Sequence, residues 1–149
     1  MSREPIPMFC FALVVVRRGA QFLLVHERKH GQGWYLPAGR VEPGETFAEG
    51  AIRETKEEAG IDIALDGVLK VQHTPSPSGA RMRVFFLAHQ LGDAAPKSTP
   101  DEHSLEAAWF TPSEVKHLDL RGDEVEQWIS YVDQGAVAAP LSIFALEVP

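Results

Sequence analysis

A helix with a dense acidic face is the feature that most limits how this chain can fold. Thr46, followed three positions later by Glu49, predicts a capping box at the start of this helix, and Gly60 predicts its end. The helix expected between them spans residues 47–59. At about 100° per residue, three of its glutamates gather within roughly a third of the circumference: Glu54, Glu57 and Glu58.

The other side of this helix is small and apolar, and we expect it to pack against the body of the protein. Its members are Ala48, Ile52, Thr55 and Ala59. Gly50 falls on the acidic side one turn before Glu54, where the missing side chain is expected to leave open space beside the carboxylates.

Closely spaced glutamates repel one another, and like charges one turn apart destabilise a helix by on the order of a few tenths of a kcal/mol. Arg53, which precedes Glu57 by four residues and adjoins Glu54, is one candidate for offsetting this repulsion. A divalent cation is the other, since magnesium takes carboxylate oxygens, phosphates and waters as ligands. Alone, residues 53–58 (RETKEE) are most typical of a solvated helix face, so only the surrounding sequence can favour a metal site.

The length and charge of the chain define its class and limit its partners. With 149 residues, 44% of them hydrophobic and 23% charged, the chain is expected to form one folded domain. A net charge of −7 argues against nucleic acid as the main partner, but not against a small anion bridged by a cation. The apolar run at residues 9–16 is too short to span a bilayer and no targeting signal is recognised, so we expect a cytoplasmic protein.

Around the central helix, β-branched and aromatic residues predict short strands. They cover residues 9–17, 21–28, 34–38, 67–73, 82–88 and 105–110. Two further helices are expected, one beginning at Pro112 after the capping residue Thr111 and one spanning residues 123–133. The stretch TPSPSGA at residues 74–80 is rich in turn formers and is expected to be a loop. This order predicts an α/β or α+β fold in one domain.

Residues 39–61, GRVEPGETFAEGAIRETKEEAGI, resemble the signature of the Nudix hydrolase family. The positions that the signature fixes are filled by Gly39, Glu45, Arg53, Glu54, Glu57, Glu58, Gly60 and Ile61. A chance match of its fixed identities is expected on the order of 10⁻⁸ times per window. Thr55 departs from the signature, in which an aliphatic residue is commoner, and this affects packing but no ligand. The stretches WYLPAG (34–39) and AAWFTPSEV (107–115) are also similar to the family.

The resemblance implies a single domain with a Nudix-like α/β/α sandwich built on a mixed β-sheet. It also implies magnesium-dependent hydrolysis of a phosphoanhydride bond, with Mn²⁺ as an acceptable substitute for Mg²⁺. The implied metal ligands are Glu54, Glu57, Glu58 and the carbonyl of Gly39. Arg53 would orient the carboxylates, mainly that of Glu54. The loop of residues 39–45, including Arg40 and Glu45, would wrap the phosphates.

The general base, which takes a proton from the attacking water, varies within the family. Glu54 and Glu58 are candidates inside the signature. Glu102 and Glu106 lie just before Trp109, about where many members carry such a residue. Each of these two is, taken singly, more simply a solvent-exposed acid. We rank Glu102 above Glu106 because a loop can move a base into place.

Two arginines outside the signature are candidates for binding the substrate. Arg28 lies at the end of a predicted strand, and Arg81 alternates with Arg83 along another, so that both point to one face. A solvated strand end is an equally good interpretation of residues 28–30. The aromatic residues that could stack on a base, although strand aromatics more often belong to the core, are Phe11, Trp34 and Tyr35.

The expected substrate is a nucleoside di- or triphosphate, including oxidised or non-standard nucleotides. ADP-ribose or a nucleotide sugar is the alternative, suggested by Pro77, which lies sixteen positions after Ile61. An alternative of another class is a non-catalytic module that senses a nucleotide or binds a protein. The complete set of glutamates favours catalysis over that alternative. The expected partner is therefore a small nucleotide-like molecule, with no nucleic acid or membrane, and a homodimer is allowed.

Overall fold

The computed structural model describes residues 3–149, and this part of the chain forms a mixed sheet of seven strands with three α-helices. The strands are β1 (Met8–Arg18), β2 (Gln21–His26), β3 (Trp34–Tyr35), β4 (Ala38–Arg40), β5 (Asp62–Ser76), β6 (Gly79–Leu91) and β7 (Glu106–Phe110). The helices are α1 (Phe47–Ala59), α2 (Pro112–Val115) and α3 (Glu124–Asp133). Short 3₁₀ turns cover His30–Gln32 and Leu141–Ile143.

The long strand β1 lies at the centre of the sheet because both of its faces are apolar. It runs parallel to β6 and antiparallel to β2 and β4. Alternate residues such as Val14 and Val16 belong to a core shared with Ala51 and Ala59 of α1. Those between them, Leu13 and Val15, belong to a second core that includes α2 and α3. The predicted α/β/α sandwich on a mixed sheet is therefore confirmed.

Helix α1 begins and ends at the predicted residues. The Thr46 hydroxyl accepts a hydrogen bond from the Glu49 N–H, and Gly60 ends the helix in the left-handed conformation with φ of 74°. The Glu49 carboxylate accepts a hydrogen bond from the Thr46 hydroxyl, so the predicted capping box is only partly formed. A complete capping box is present at Thr111 and Glu114, where α2 begins with Pro112.

The buried face of α1 is rotated from the one that the sequence predicted. Its buried residues are Gly50, Ala51, Thr55 and Ala59. Ile52, predicted to be packed, is 41% exposed. Gly50 does not leave open space beside the carboxylates: a Cβ there would lie 2.9 Å from Oε1 of Glu45. The absent side chain therefore makes room for Glu45.

Strands β5 and β6 form a longer hairpin than expected, because pairing extends strand structure into the predicted loop. The turn shrinks to residues 77–78, and Pro75 is paired with Ala80 inside the hairpin. Proline is tolerated there because β5 lies at the edge of the sheet. Strand β4 was not predicted as a separate strand. It pairs with β1, placing Gly39 opposite Ala12.

The segment after α3 returns across the sheet. Ala139 forms an antiparallel bridge with Val68 of β5, and the Phe144 ring lies 5.6 Å from that of Phe47 in α1. No helix within residues 3–149 is long and apolar enough to cross a lipid bilayer.

Candidate active site

A cleft of about 510 Å³ lies between α1, the β1–β6 face of the sheet and the loops beyond β2 and β6. Two carboxylates of α1, Glu54 and Glu58, border it together with Ala38 and Gly39 of β4. The basic side chains around it are Arg28, Lys29, His30, Arg81, Arg83, His103 and Arg121. The cleft therefore combines acidic groups on α1 with cationic groups contributed by several other elements.

Glu58 is held at the bottom of the site by β4. The backbone N–H of Ala38 donates to its Oε1 at 2.9 Å. Burial raises the pKa of the Glu58 carboxyl well above its usual range, although the Ala38 hydrogen bond opposes the shift. Burial also raises the pKa of Glu54, against the opposing effect of Arg53. Burial therefore favours the protonated form of both carboxyl groups.

Arg53 ties the acidic residues to the loop before α1. Its guanidinium donates to both carboxylate oxygens of Glu45, at 2.7 and 3.0 Å. It also donates to Glu54 at 2.9 Å, to Glu57 at 3.1 Å and to the carbonyl of Arg40 at 3.0 Å. The hydrogen bonds from Arg53 to the Glu45 carboxylate lower the pKa of Glu45. Arg53 thus bonds Glu54, Glu57 and the 40–45 loop together.

The lining of the cleft pairs cationic with aromatic side chains. The guanidinium of Arg81 lies 4.9 Å from the centre of the Phe11 ring, and that of Arg121 lies 4.6 Å from the Tyr35 ring. Arg121 also bonds Glu27 at 3.1 Å. Such cation–π pairs hold guanidinium groups flat against a ring with their edges free for phosphate or carbonyl oxygens.

Tyr35 and Arg83 are fixed from the side of α3. Both bond the carboxylate of Glu124, the Arg83 guanidinium doing so with two nitrogens at 3.1 Å. Burial and the bond to Glu124 raise the pKa of Tyr35, which stays a neutral donor. Burial tends to raise the pKa of the Glu124 carboxyl. The hydrogen bonds from Arg83 and Tyr35 outweigh burial and lower this pKa, so Glu124 stays ionised.

The loop before β7 brings Glu102 and His103 to the edge of the cleft. His103 Nε2 lies 3.4 Å from Oε1 of Glu102, and its Nδ1 lies 3.8 Å from Oε2 of Glu57. Glu106, the lower-ranked candidate base, lies on β7 with a carboxylate oxygen 3.8 Å from His26 Nδ1. It is not among the residues that border the cleft.

A family model described as "NUDIX domain" matches residues 9–130 of this chain. The chain belongs to the Nudix family. The carboxylates of α1, the guanidinium of Arg53 and the glycine-containing segment before them are therefore the Nudix motif in three dimensions.

Several curated proteins are related to this Nudix chain. It is 41% identical over 106 residues to human 8-oxo-dGDP phosphatase NUDT18, an alignment covering 68% of this chain and 32% of that protein. It is 35% identical over 136 residues to putative nudix hydrolase 1 of Caenorhabditis elegans, covering 85% and 36%. It is 37% identical over 111 residues to the NAD-capped RNA hydrolase NudC of Pasteurella multocida, covering 73% and 40%. The chain spans roughly a third of the length of the first two.

A solved structure agrees with this assignment over the full fold. The NUDIX hydrolase from Nitrosomonas europaea superposes with a TM-score of 0.78 and 26% identity, covering 95% of this chain and 98% of the other.

The residues predicted from the sequence separate into two groups in space. Those that border the cleft are Gly39, Glu54, Glu58, Arg28, Arg81 and Glu102. Arg53, Glu45 and Glu57 form the ion-pair network beside it, and Arg40 contributes its carbonyl to Arg53. The side chain of Arg40 is not among the groups that border the cleft.

Some residues that border the cleft carry no signal in the sequence. Glu27, His103 and Arg121 border the cleft but carry no local motif. Arg121 is brought there by backbone pairing of Trp34 with residues 119 and 121. The sequence favours core positions for Phe11 and Tyr35, and Tyr35 is buried in the core, although both residues also border the cleft. For Phe11, the sequence signal is the period-two alternation along β1, which places Phe11 and Leu13 on the same face, and both border the cleft.

The Nudix motif residues suit a hard divalent cation in chemistry, although within residues 3–149 no three His, Cys, Asp or Glu side chains converge as a complete ligand set. The carboxyl groups of Glu54 and Glu58 border the same cleft, and a cation bound there would favour their ionised forms over the protonated forms that burial favours. Magnesium commonly takes only one or two carboxylates and completes its shell with phosphates and waters. The donor set therefore fits magnesium bound together with a phosphorylated substrate.

Proposed function

We propose that this Nudix domain hydrolyses a phosphoanhydride bond in a nucleoside di- or triphosphate and requires Mg²⁺ or Mn²⁺. One observation carries the proposal. The carboxylates of Glu54 and Glu58 face a cleft bordered by arginine, lysine and histidine side chains, in a chain whose net charge is −7. Basic groups concentrated in one cleft of an acidic protein favour a small, strongly anionic ligand.

The ligands that we assign to the cation are Glu54, Glu57, Glu58 and the carbonyl of Gly39. When bound, the cation supplies neutralisation of phosphate charge and activation of water. Arg53 keeps the carboxylates of Glu54 and Glu57 aligned through its hydrogen bonds of 2.9 and 3.1 Å. This preorganisation spares the reorganisation that free glutamates would need.

Side chains of the cleft outside α1 would orient the substrate. Arg28 and Arg81 stand among the cationic groups that would bind phosphates, and the half-buried ring of Phe11 would contact a nucleobase, whereas the Tyr35 ring is buried beneath Arg121. The proton of the attacking water passes to a carboxylate at the cleft. The candidates are Glu54, Glu58 and Glu102, of which Glu102 is the most exposed.

The relative named 8-oxo-dGDP phosphatase supports an oxidised or otherwise non-standard nucleotide as the substrate. The residue that suggested ADP-ribose, Pro77, lies in the turn of the β5–β6 hairpin and does not border the cleft. A nucleotide with a modified base is therefore our first choice. The relative named NAD-capped RNA hydrolase makes a capped RNA end a necessary comparison.

The direct test is hydrolysis of a substrate panel in the presence of Mg²⁺. The panel contains normal and 8-oxo nucleoside di- and triphosphates, ADP-ribose, a nucleotide sugar and NAD-capped RNA, and products are separated by ion-exchange chromatography. We expect turnover of a nucleoside di- or triphosphate that EDTA abolishes. Glu57→Gln should lose it, whereas Glu126→Gln, at an exposed position on α3, should retain it. Binding without turnover of any compound would show a non-catalytic module instead.

A further inference from the structure

The C-terminal end of α1 is held by residues 97–104, the loop that precedes β7. The last carbonyl groups of an α-helix lack partners inside the helix. Here the loop supplies partners for three of them: Lys97 Nζ donates to Glu57 at 2.5 Å, Lys97 N–H to Ala59 at 2.8 Å, and Ser104 Oγ to Glu58 at 2.6 Å. The loop is therefore attached to the same turn that carries two of the glutamates.

Lys97 and Ser104 are buried for polar residues. Ser104 is 0% exposed and the Lys97 side chain 11% exposed. They bond each other, with Nζ donating to Oγ at 3.0 Å, and Nζ forms an ion pair with Asp101 at 2.7 Å. A cation at the C-terminal end of a helix also interacts favourably with the helix dipole. Loss of either side chain would leave buried helix carbonyls unsatisfied.

Asp101 gives the loop its shape. Its Oδ1 accepts hydrogen bonds from the N–H groups of His103 at 2.8 Å and Ser104 at 3.2 Å. The two residues between Asp101 and Ser104 are Glu102 and His103, whose side chains border the cleft. The buried anchors Lys97 and Ser104 thus flank the two cleft residues within one compact loop.

We propose that Lys97 and Ser104 are positioning residues, which fix the 97–104 loop on α1 and so set the distance from Glu102 and His103 to the glutamates. The role follows from connectivity. The side chain of each anchor bonds the backbone carbonyl of Glu57 or Glu58. The backbone of each anchor belongs to the loop that carries Glu102 and His103. Neither anchor borders the cleft itself. The proposal rests on the proposed function, because it concerns the geometry of that reaction.

The first experiment measures steady-state kinetics of Ser104→Ala and Lys97→Met on the best substrate, well below the melting temperature of each variant. We expect kcat to fall by about 10- to 100-fold with KM changed less than about threefold, since a displacement near 1 Å is enough for such a loss. The controls are Lys56→Met, which removes an exposed lysine of the same helix, and Ser130→Ala on α3. Both should keep the wild-type kcat.

A double-mutant cycle separates positioning from general loss of structure. Ser104→Ala is introduced into the wild type and into the variant Glu102→Gln/His103→Ala. If Ser104 acts by placing these two side chains, its substitution should lower kcat by less than about twofold once they are absent. An equal loss in both backgrounds, or no loss in the wild type, would overturn the proposal.

Hydrogen–deuterium exchange gives a readout that needs no substrate. Amides of residues 101–105 should exchange at least about tenfold faster in Ser104→Ala than in the wild type, and at the wild-type rate in Lys56→Met. If the wild type hydrolysed nothing in the panel, the proposed function would fail. The exchange rates would still show whether Ser104 holds the loop, and unchanged rates in Ser104→Ala would refute the positioning role.

Discussion

The backbone of Gly39 lies so close to the side chain of Glu54 that a Cβ at position 39 would overlap the Glu54 carboxyl group. This contact joins β4 to α1 at the edge of the cleft. Gly39 pairs with Ala12 of the central strand, so its position is set by the core of the sheet. The sheet therefore fixes where one of the proposed metal ligands can lie.

Gly39→Ala should inactivate the enzyme while leaving it folded. The added methyl group has to push the Glu54 carboxylate away, and a shift of about 1 Å in a reacting group can lower the rate by about 100-fold. Glu54 can turn towards the cleft, so the free energy of unfolding should change little. Kinetics and urea denaturation measure the two effects.

Gly67→Ala is the matched control for that substitution. A Cβ at Gly67 would lie 2.6 Å from the carbonyl oxygen of Ala139, far from the cleft. Crowding of this kind costs about 1–3 kcal/mol of stability. We expect a lower melting temperature with an unchanged kcat per folded molecule. Unimpaired activity in Gly39→Ala would contradict the contact with Glu54.

Arg53→Lys should reduce both activity and stability. Lysine keeps the charge but cannot bond Glu45, Glu54 and Glu57 together, because it lacks the planar fork of donors. We expect kcat to fall by about 100-fold and the free energy of unfolding by about 2 kcal/mol. Arg17→Lys, which alters an exposed ion pair with Asp133, should change stability by less than about 0.5 kcal/mol. Equal effects of the two substitutions would refute the network.

The contribution of Glu58 to the stability of the metal-free protein should fall as pH rises, because burial raises the pKa of this carboxyl. A raised pKa means that the folded state holds the proton more tightly than the unfolded chain. The stabilisation from Glu58 is therefore complete below the ordinary glutamate pKa of about 4.3 and is lost as pH rises through the raised pKa of the folded state. Glu58→Gln should remove this dependence and keep the hydrogen bond from Ala38.

Melting temperatures in EDTA from about pH 4 to about pH 8 test this expectation. The difference between Glu58→Gln and the wild type should grow with pH in favour of the variant. Added Mg²⁺ should stabilise the wild type more than the variant. Parallel curves in EDTA would show that Glu58 does not carry the buried charge.

Arg81→Ala should weaken substrate binding more than it slows catalysis. Its guanidinium borders the cleft against Phe11, where it can bond a phosphate or a base. Loss of about 1.4 kcal/mol of binding energy raises KM about tenfold. Arg18→Ala is the control, since Arg18 lies 4.3 Å from the Trp109 ring and does not border the cleft. Equal KM values for the two variants would exclude a role for Arg81 in binding.

The parts of the fold that the sequence predicted accurately are those with local signals. Helix α1 was predicted to the residue because Thr46 and Gly60 define its ends chemically. The β5–β6 hairpin was predicted too short because partner strands, and not local propensity, keep residues such as Pro75 extended. Strand β4 was not recognised because Gly39 and Arg40 owe their extended form to pairing with β1.

The site divides in the same way. The glutamates and Arg53 were found because they are close in sequence and follow the periodicity of a helix. Glu27 and Arg121 were not, since they are 94 residues apart and meet only through tertiary structure. The rotation of the buried face of α1 was also missed, because packing against the sheet selects Ala51 in place of Ile52.

The most direct test of the central claim is a crystal structure with Mn²⁺ and a non-hydrolysable nucleoside triphosphate, using anomalous scattering to locate the metal. We predict an anomalous peak in the cleft, bonded to carboxylates of the Nudix motif and to phosphate oxygens. Gly39 should contribute its carbonyl. A nucleotide bound in the cleft with no anomalous peak near Glu54, Glu57 or Glu58 would contradict the claim.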